Sequence, residues 1–212
     1  MSIANLRREY GRHGLDEAEV LPDPIAQLRA WLDQAIATGL PDRNAAVVAT
    51  VGATGQPSAR VLLIKGLDDR GLIFFTNYES RKCRDLAANP RAAVTLFWPE
   101  VERQVRVEGE TELAPPAESD RYFRSRPVES QLSAWASQQS EVINGGRPEL
   151  ERRLAAVATR FAGREVPRPP HWGGIILRPS AVEFWQGRPG RLHDRLLYTK
   201  EQSEWLIRRL AP

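Results

Sequence analysis

The chain reads as a mostly β protein with flanking helices, built on a small barrel of short antiparallel strands. Three observations predict this. Short apolar runs recur between Ala45 and Val107 with tight-turn residues between them, as strands joined by hairpins would. The runs follow one another closely instead of alternating with long helices, which argues for a small barrel and against a doubly wound parallel sheet. No Gly-x-Gly-x-x-Gly or Walker loop, the phosphate cradle of such a sheet, is present. With 212 residues, 42% of them hydrophobic, the chain can close one real core.

In chain order, Asp23-Pro24 opens a helical pattern through Leu28, Leu32 and Ile36, with proline in the first turn and Gly39 after the last. Strands are predicted at Ala45–Val51, Val61–Ile64, Leu72–Phe75, Ala92–Phe97 and Val105–Val107, separated by Gly-Gln-Pro, Asp-Asp-Arg-Gly and Asn-Pro turns. A short helical pattern, Cys83 to Ala88, interrupts them, with Ser80 placed as its N-cap. Helices follow around Ala117–Phe123 and Arg147–Phe161, then a proline-rich connection from Arg164 to Pro170. Four strands close the chain near Gly174–Leu177, Val182–Trp185, Leu192–Tyr198 and Glu204–Arg209.

Composition narrows the function classes. The formal charge is only +3 and basic residues are interleaved with acidic ones along the chain, so the pI near 9.3 reflects arginine usage and does not imply nucleic-acid binding. A single cysteine, Cys83, excludes an internal disulfide or a cysteine metal cluster, and three scattered histidines give no metal spacing. Residues Met1 to Leu15 are charged and lack an apolar signal region, and no run approaches the roughly 18 apolar residues of a membrane span. A soluble protein of the reducing cytoplasm is expected, with no membrane partner.

Lysine is scarce: Lys65, Lys82 and Lys200 stand among 30 basic residues. A compact point charge retained in so arginine-rich a chain fits a phosphate or a developing charge on a ligand. In Thr76-Asn77-Tyr78-Glu79-Ser80-Arg81-Lys82, a hydroxyl and two cations converge at a helix N-terminus, an arrangement suited to phosphate, though a capped surface helix would read the same. Arg60 and Lys65 lie at the ends of Arg60-Val61-Leu62-Leu63-Ile64-Lys65 and on opposite faces by alternation. They can serve one ligand only through a bulge, from the strand's end, or from different subunits. Tyr122 and Arg126 stand one helical turn apart with Ser130 beyond Pro127, so a phenol, a guanidinium and a hydroxyl could surround one phosphate. Gln104 is polar on a strand whose other face is apolar, a position that more often faces water. The most informative stretch is Phe184-Trp185-Gln186-Gly187-Arg188-Pro189-Gly190-Arg191-Leu192-His193-Asp194-Arg195. If Leu192 to Tyr198 is a strand, Arg191, His193 and Arg195 share one face and call for an anionic ligand.

Taken in order, Leu6-Arg7-Arg8-Glu9-Tyr10, Arg60 to Lys65, Phe75-Thr76-Asn77, Ser80-Arg81-Lys82, Glu102-Arg103-Gln104-Val105, Tyr122 to Pro127, Ser130-Gln131, Gln139-Ser140, Glu183 to Gly187 and Arg191 to Arg195 form a recognisable set. The set resembles the pyridoxamine 5'-phosphate oxidase family, and the resemblance runs from about Leu6 to the terminal Arg209-Leu210-Ala211-Pro212. It implies an FMN-binding split β-barrel working as a homodimer with flavin sites at the subunit interface. Residues 1–20 would form a mobile lid segment, 21–171 the split barrel with its helical elaboration, and 172–212 a dimerisation and substrate-site region of the same unit. By resemblance, Arg60, Val61, Leu62, Leu63, Ile64, Lys65, Phe75, Thr76, Arg81, Lys82, Gln104, Gln139, Ser140, Trp185 and Arg195 would contact FMN, with Ser80 as a further phosphate partner. Lys65, Tyr122, Arg126 and Ser130 would hold the substrate phosphate, Arg191 and His193 would flank the pyridine ring as catalytic residues, and Arg7 and Tyr10 would close over the site. Phe75 stands where some members carry tyrosine, so a phenolic contact would be absent. The implied reaction oxidises pyridoxamine or pyridoxine 5'-phosphate to pyridoxal 5'-phosphate with oxygen as acceptor and hydrogen peroxide as by-product. The protein itself mainly positions the substrate. Another flavin or deazaflavin oxidoreductase on the same barrel, or a non-catalytic carrier of flavin or pyridoxal phosphate, is the alternative.

Overall fold

A computed structural model describes residues 9–11, 13–39 and 41–212. Its framework is a nine-stranded antiparallel sheet in the order β2-β1-β5-β6-β7-β4-β3, with β8 added to β7 and β9 to β8. The strands are β1 Ala45–Val51, β2 Pro57–Leu63, β3 Gly66–Asp68, β4 Gly71–Asn77, β5 Arg91–Trp98, β6 Arg103–Leu113, β7 Trp172–Gln186, β8 Asp194–Glu201 and β9 Glu204–Arg209. Among the described residues five α-helices flank them: α1 Pro24–Ala37, α2 Arg81–Ala88, α3 Pro116–Ser125, α4 Val128–Ala136 and α5 Gly146–Arg160.

Alternation fills the barrel interior. Val48, Phe74, Val94, Leu96, Val105, Val107, Leu177, Val182, Phe184, Leu196 and Tyr198 are buried in one continuous cluster. Helix α1 packs Leu28 and Trp31 onto it, Trp31 meeting Phe184 edge to face at 5.1 Å. Asp23 caps this helix by accepting the N–H groups of Ile25 and Ala26, and Pro24 occupies its first turn. A second cluster of Phe123, Ala134, Val166 and Trp172 lies under α3 and α4.

Two differences from the sequence reading concern strands. Gly174–Leu177 and Val182–Trp185 belong to one strand, β7. Its first half pairs with β4 and its second with β8, while β6 runs along its other edge. Pro179, which suggests a break, falls where β7 changes partners and the β6 register shifts between Glu108 and Gly109, a place where a missing N–H is tolerated. Glycine is required at 109, since a Cβ there would stand 1.9 Å from the Arg178 carbonyl oxygen. The reading also missed β3, three residues long, and α4, which starts directly after Pro127 and is separated from α3 by two extended residues, Arg126 and Pro127.

One sheet face remains apolar and open. Val47, Val61, Leu63 and Phe97 on β1, β2 and β5 are exposed, and Val47 and Val61 are direct cross-strand partners.

Candidate active site

The first cluster forms where β4 delivers the chain to α2. Lys82 is only 5% exposed, and its Nζ donates to Thr76 Oγ1 (2.8 Å), Ser80 Oγ (3.0 Å) and Gln139 Oε1 (2.8 Å). All three acceptors are neutral, and burial pushes the lysine pKa below its ordinary value. Ser80 does occupy the N-cap position of α2, but its side chain makes no capping bond; its hydroxyl serves Lys82 instead. Arg60, half-buried on β2, donates to Val48 O (3.2 Å), Thr50 Oγ1 (2.8 Å) and Ser58 Oγ (2.9 Å), and stands 3.9 Å from Asp85 on α2. Desolvation lowers its pKa, with Asp85 opposing. Exposed Arg81 adds a third cation near this helix N-terminus and contributes to the field at Arg60. Lys82, Arg60 and Arg81 thus bring three cations near the N-terminus of α2, a charge suited to a phosphate-sized anion, with Asp85 beside Arg60.

The strand-face conflict of Arg60 and Lys65 has a simple origin. Strand β2 ends at Leu63, where Ile64 N–H still bonds Asn44 O (2.8 Å) but Lys65 N–H has turned to Ile73 O (2.8 Å). Alternation therefore stops before Lys65. Along β2, Arg60 and Leu62 are half-buried while Val61 and Leu63 face outward, and Ile64 is buried at the corner.

Lys65 opens instead onto a cavity of about 260 Å³ whose lining includes Phe75, Glu118, Arg121 and Tyr122. Phe75 and Tyr122 stack at 3.9 Å with rings 19° apart, and Trp172 extends the stack 5.7 Å from Phe75. Arg126 lies over Trp172 at 4.6 Å. Its Nη1 is buried with no hydrogen-bond partner, and desolvation lowers the guanidinium pKa and raises that of Tyr122. Tyr122 and Arg126 do not share a helix: α3 ends at Ser125 and Arg126 is extended, at φ −74° and ψ 150°. Ser130 lies half-buried in the first turn of α4. Gln139 and Ser140 follow α4 in a loop, both exposed, Ser140 with φ 75°.

Helix α3 is held by residues that the sequence reading missed. Arg70 makes a double ion pair to Glu118 (2.9 Å each), Arg168 bonds Asp120 (2.6 Å), and Ser119 Oγ accepts the Gly174 N–H (3.0 Å). Arg70 and Arg168 each lie 48 residues from their carboxylate, so no local spacing could have disclosed them.

The third group lies on the other half of β7. Gln104, Trp185 and Arg195 are direct partners across β6, β7 and β8, so they form one row, and each is half-buried; Gln104 is not a simple water-facing residue. The expected alternation of Arg191, His193 and Arg195 does not occur. Strand β8 begins at Asp194, and Arg191 ends a 3-10 turn, exposed, with φ 62°. Arg195 is paired within the chain, donating to both oxygens of buried Glu183 (2.9 and 3.2 Å). Strand periodicity could not anticipate this, because the turn through Gly190 absorbs the residues before the strand.

His193 is half-buried, with its ring 4.8 Å from Trp185. Its Nδ1 accepts the Arg188 N–H (3.1 Å), which leaves Nε2 to carry the proton of the neutral ring. Tyr10 meets Trp185 at 5.5 Å and His193 at 5.7 Å, both edge to face. Gly187 makes room for it: a Cβ there would stand 2.7 Å from Tyr10 Cγ. Arg7 lies outside the described residues.

Within one chain these groups stay apart. Thr76 pairs with Gly173, whereas Trp185 lies twelve residues further along β7, a path on the order of 40 Å along the strand.

Comparison with known proteins gives this geometry a family. The model described as pyridoxamine 5'-phosphate oxidase matches residues 32–161, and that of the pyridoxine 5'-phosphate oxidase C-terminal dimerisation region matches residues 172–212. The chain belongs to the pyridoxamine 5'-phosphate oxidase family. It is 58% identical over 214 residues to the pyridoxine/pyridoxamine 5'-phosphate oxidase of Burkholderia vietnamiensis, covering 100% of this chain and 99% of that one. The protein of the same name from Burkholderia multivorans is 55% identical with the same coverage. Among solved structures, PhzG from Burkholderia lata in complex with tetrahydrophenazine-1-carboxylic acid superimposes with a TM-score of 0.87 at 32% identity, covering 93% of this chain and 98% of that one. A pyridoxamine 5'-phosphate oxidase-related, FMN-binding protein from Nostoc punctiforme gives 0.69 at 21% identity, over 87% and 97% of the two chains, and supports the split-barrel fold.

Proposed function

We propose that this family member is an FMN-dependent oxidase that converts pyridoxamine and pyridoxine 5'-phosphates, with oxygen, to pyridoxal 5'-phosphate and hydrogen peroxide. The observation that carries this reading is two separate cationic groups that meet at consecutive residues of β4: buried Lys82 bonded to Thr76, and Lys65 on the cavity that Phe75 and Tyr122 line, with Arg126 close to Tyr122. A flavin phosphate and a substrate phosphate would account for both. The donor set fits FMN: a buried lysine whose acceptors are all neutral is the kind of group an anion would relieve, and the Lys82 cluster supplies that at a helix N-terminus.

In this reading Arg60 to Lys65, Phe75, Thr76, Ser80, Arg81, Lys82, Gln139 and Ser140 hold FMN from one protomer, while Gln104, Trp185 and Arg195 approach from a second copy. The separation of the two groups along β7 favours such sharing, and the open apolar face with Val47, Val61, Leu63 and Phe97 is a surface that a homodimer would cover. Lys65, Tyr122, Arg126 and Ser130 anchor the substrate phosphate, and the unpartnered Arg126 Nη1 is a donor waiting for such an oxygen. Arg191 and His193 face the substrate ring from the second copy, and Arg7 and Tyr10 cover them. Bound FMN supplies the two-electron redox chemistry. Arg191, exposed at the tip of its turn, is free to lie over the ring and stabilise developing charge, and His193 orients the substrate through Nε2. Residues 1–20 act as the lid, and 172–212 as the dimerisation region of the same unit. The cytoplasm is the expected compartment.

The test is to purify the protein, determine whether it carries FMN, add pyridoxamine 5'-phosphate in air and follow pyridoxal 5'-phosphate and hydrogen peroxide together. Equal appearance of both supports the oxidase. The PhzG structure favours one second reading, dehydrogenation of a reduced ring that bears a carboxylate, which a yellow protein turning over a reduced phenazine carboxylate but not the phosphate ester would support. A yellow protein active on neither points to a carrier or to a reductase with another substrate.

A further inference from the structure

We infer that Glu102 and Asp194 are positioning residues: two carboxylates from separate strand ends latch Gly11 and Leu15, in the stretch that holds Tyr10 against His193. The inference rests on the functional reading only for its effect on turnover. Residues 9–11 and 13–16 form no helix or strand, so their backbone N–H groups must find acceptors elsewhere. Two of them find carboxylates. Gly11 N–H donates to Glu102 Oε2 (2.9 Å) and Leu15 N–H to Asp194 Oδ2 (3.1 Å).

Both acceptors are built for the task. Glu102 is 3% exposed and adopts φ 57°, a left-handed conformation that a side-chain-bearing residue keeps only when its surroundings impose it. They do so here, because its carbonyl oxygen accepts the Gly187 N–H (2.8 Å) and Nε2 of fully buried Gln186 (3.1 Å). The same turn thus fixes Glu102 and the glycine on which Tyr10 rests. Asp194 follows His193 directly. It also accepts Arg209 Nη1 (2.7 Å) and pairs with Arg188 Nε (3.4 Å). Arg188 gives its own N–H to His193 Nδ1, and Arg209 donates to Leu15 O (3.0 Å) and to Glu17 (2.9 Å). Asp194 therefore joins the covering segment to the residue that sets the His193 ring, and neither carboxylate needs to touch the substrate.

The experiment is hydrogen–deuterium exchange on the FMN-loaded protein, read on the peptide spanning residues 9–16, with Asp194→Ala, Asp194→Asn and Glu102→Gln compared with the parent. Asp194→Ala should speed exchange in this peptide at least tenfold while exchange in β6 and β7 and flavin content stay unchanged. Asp194→Asn, which keeps an acceptor oxygen, should restore most of the protection. In the oxidase assay Asp194→Ala should lose roughly tenfold to a hundredfold in kcat/KM, as expected for one or two charge-assisted hydrogen bonds. Unchanged exchange in residues 9–16 with Asp194→Ala, or acceleration spread equally through the sheet with both aspartate variants, overturns the latch. A parent protein inactive on the phosphate esters would remove the functional reading, while the exchange data would still decide the latch.

Discussion

Replacing Lys82 with methionine separates a ligand-holding role from a structural one. In the protein without an anion, Lys82 is a buried ammonium satisfied only by neutral oxygens at 2.8, 3.0 and 2.8 Å. Methionine has similar length and removes the desolvated charge, and Thr76 Oγ1 can still donate to Gln139 Oε1 (3.2 Å), so flavin-free Lys82→Met should melt at the parent's temperature or above it. Toward FMN it loses a charge-assisted bond worth about 1.5–3 kcal/mol, a roughly tenfold to hundredfold rise in Kd. The sign of the pH dependence follows from burial. Because the folded state depresses the lysine pKa, it binds fewer protons than the unfolded chain in the window just below 10.5, so flavin-free stability contributed by this group rises with pH there. The methionine variant should lack that rise. The assay is titration of flavin-free protein by quenching of FMN fluorescence, with thermal melts across the same pH range. A Kd within about twofold of the parent, at the precision of such titrations, would refute the reasoning. So would a variant that loses stability and flavin together, since Lys82 would then be a strut of the fold.

Three further outcomes are expected. Gly187→Ala places a Cβ 2.7 Å from Tyr10 Cγ and should expel that ring, raising KM for the phosphate ester while FMN remains bound, as steady-state kinetics with flavin absorbance will show. Arg191→Ala should depress kcat strongly with FMN content intact, because Arg191 is exposed at the end of its turn; unchanged turnover would remove it from the catalytic set. Tyr198, whose hydroxyl donates to Leu21 O (2.9 Å), has its pKa pushed up to about 12 by burial. The folded state keeps this proton after the unfolded chain begins to lose it near 10, so stability falls by up to about 1.4 kcal/mol per pH unit between those values. Tyr198→Phe should cost about 1 kcal/mol at neutral pH and flatten the alkaline decline, measured by urea unfolding.

Much of the framework was legible because it rests on local signals. Strand β1 matches its apolar run from Ala45 to Val51, and α1 starts at the Asp23-Pro24 capping signal. The failures share a physical cause, which is that tertiary partners override local period. Gly174–Leu177 and Val182–Trp185 read as two strands because the tolerance of Pro179 between them depends on a change of neighbours that no window of sequence contains. The Arg191, His193 and Arg195 alternation failed because residues 189–191 coil into a 3-10 turn before the strand begins, and Glu183 claims Arg195. The site residues around Lys82 could be suggested from Ser80-Arg81-Lys82, but Gln139 is 57 residues away and joins through a loop. Arg70 and Arg168 carried no signal, since an arginine that steadies a helix looks like any surface arginine until its carboxylate is found.

Strand β7 carries Trp172 at one end, stacked with Phe75 beneath Arg126, and Trp185 at the other, against His193 and Tyr10. If each half serves a different flavin in the dimer, one unbroken backbone runs from one catalytic centre to the other. A shift of the strand along its axis would then disturb both at once. The irregularity at Glu108/Gly109 and Pro179 sits between the two aromatic ends and interrupts the ladder there. Such a break would let the Trp185 end shift while Trp172 keeps its stack, and a side chain at Gly109, whose Cβ would stand 1.9 Å from the Arg178 carbonyl oxygen, would strain the strand between its two ends.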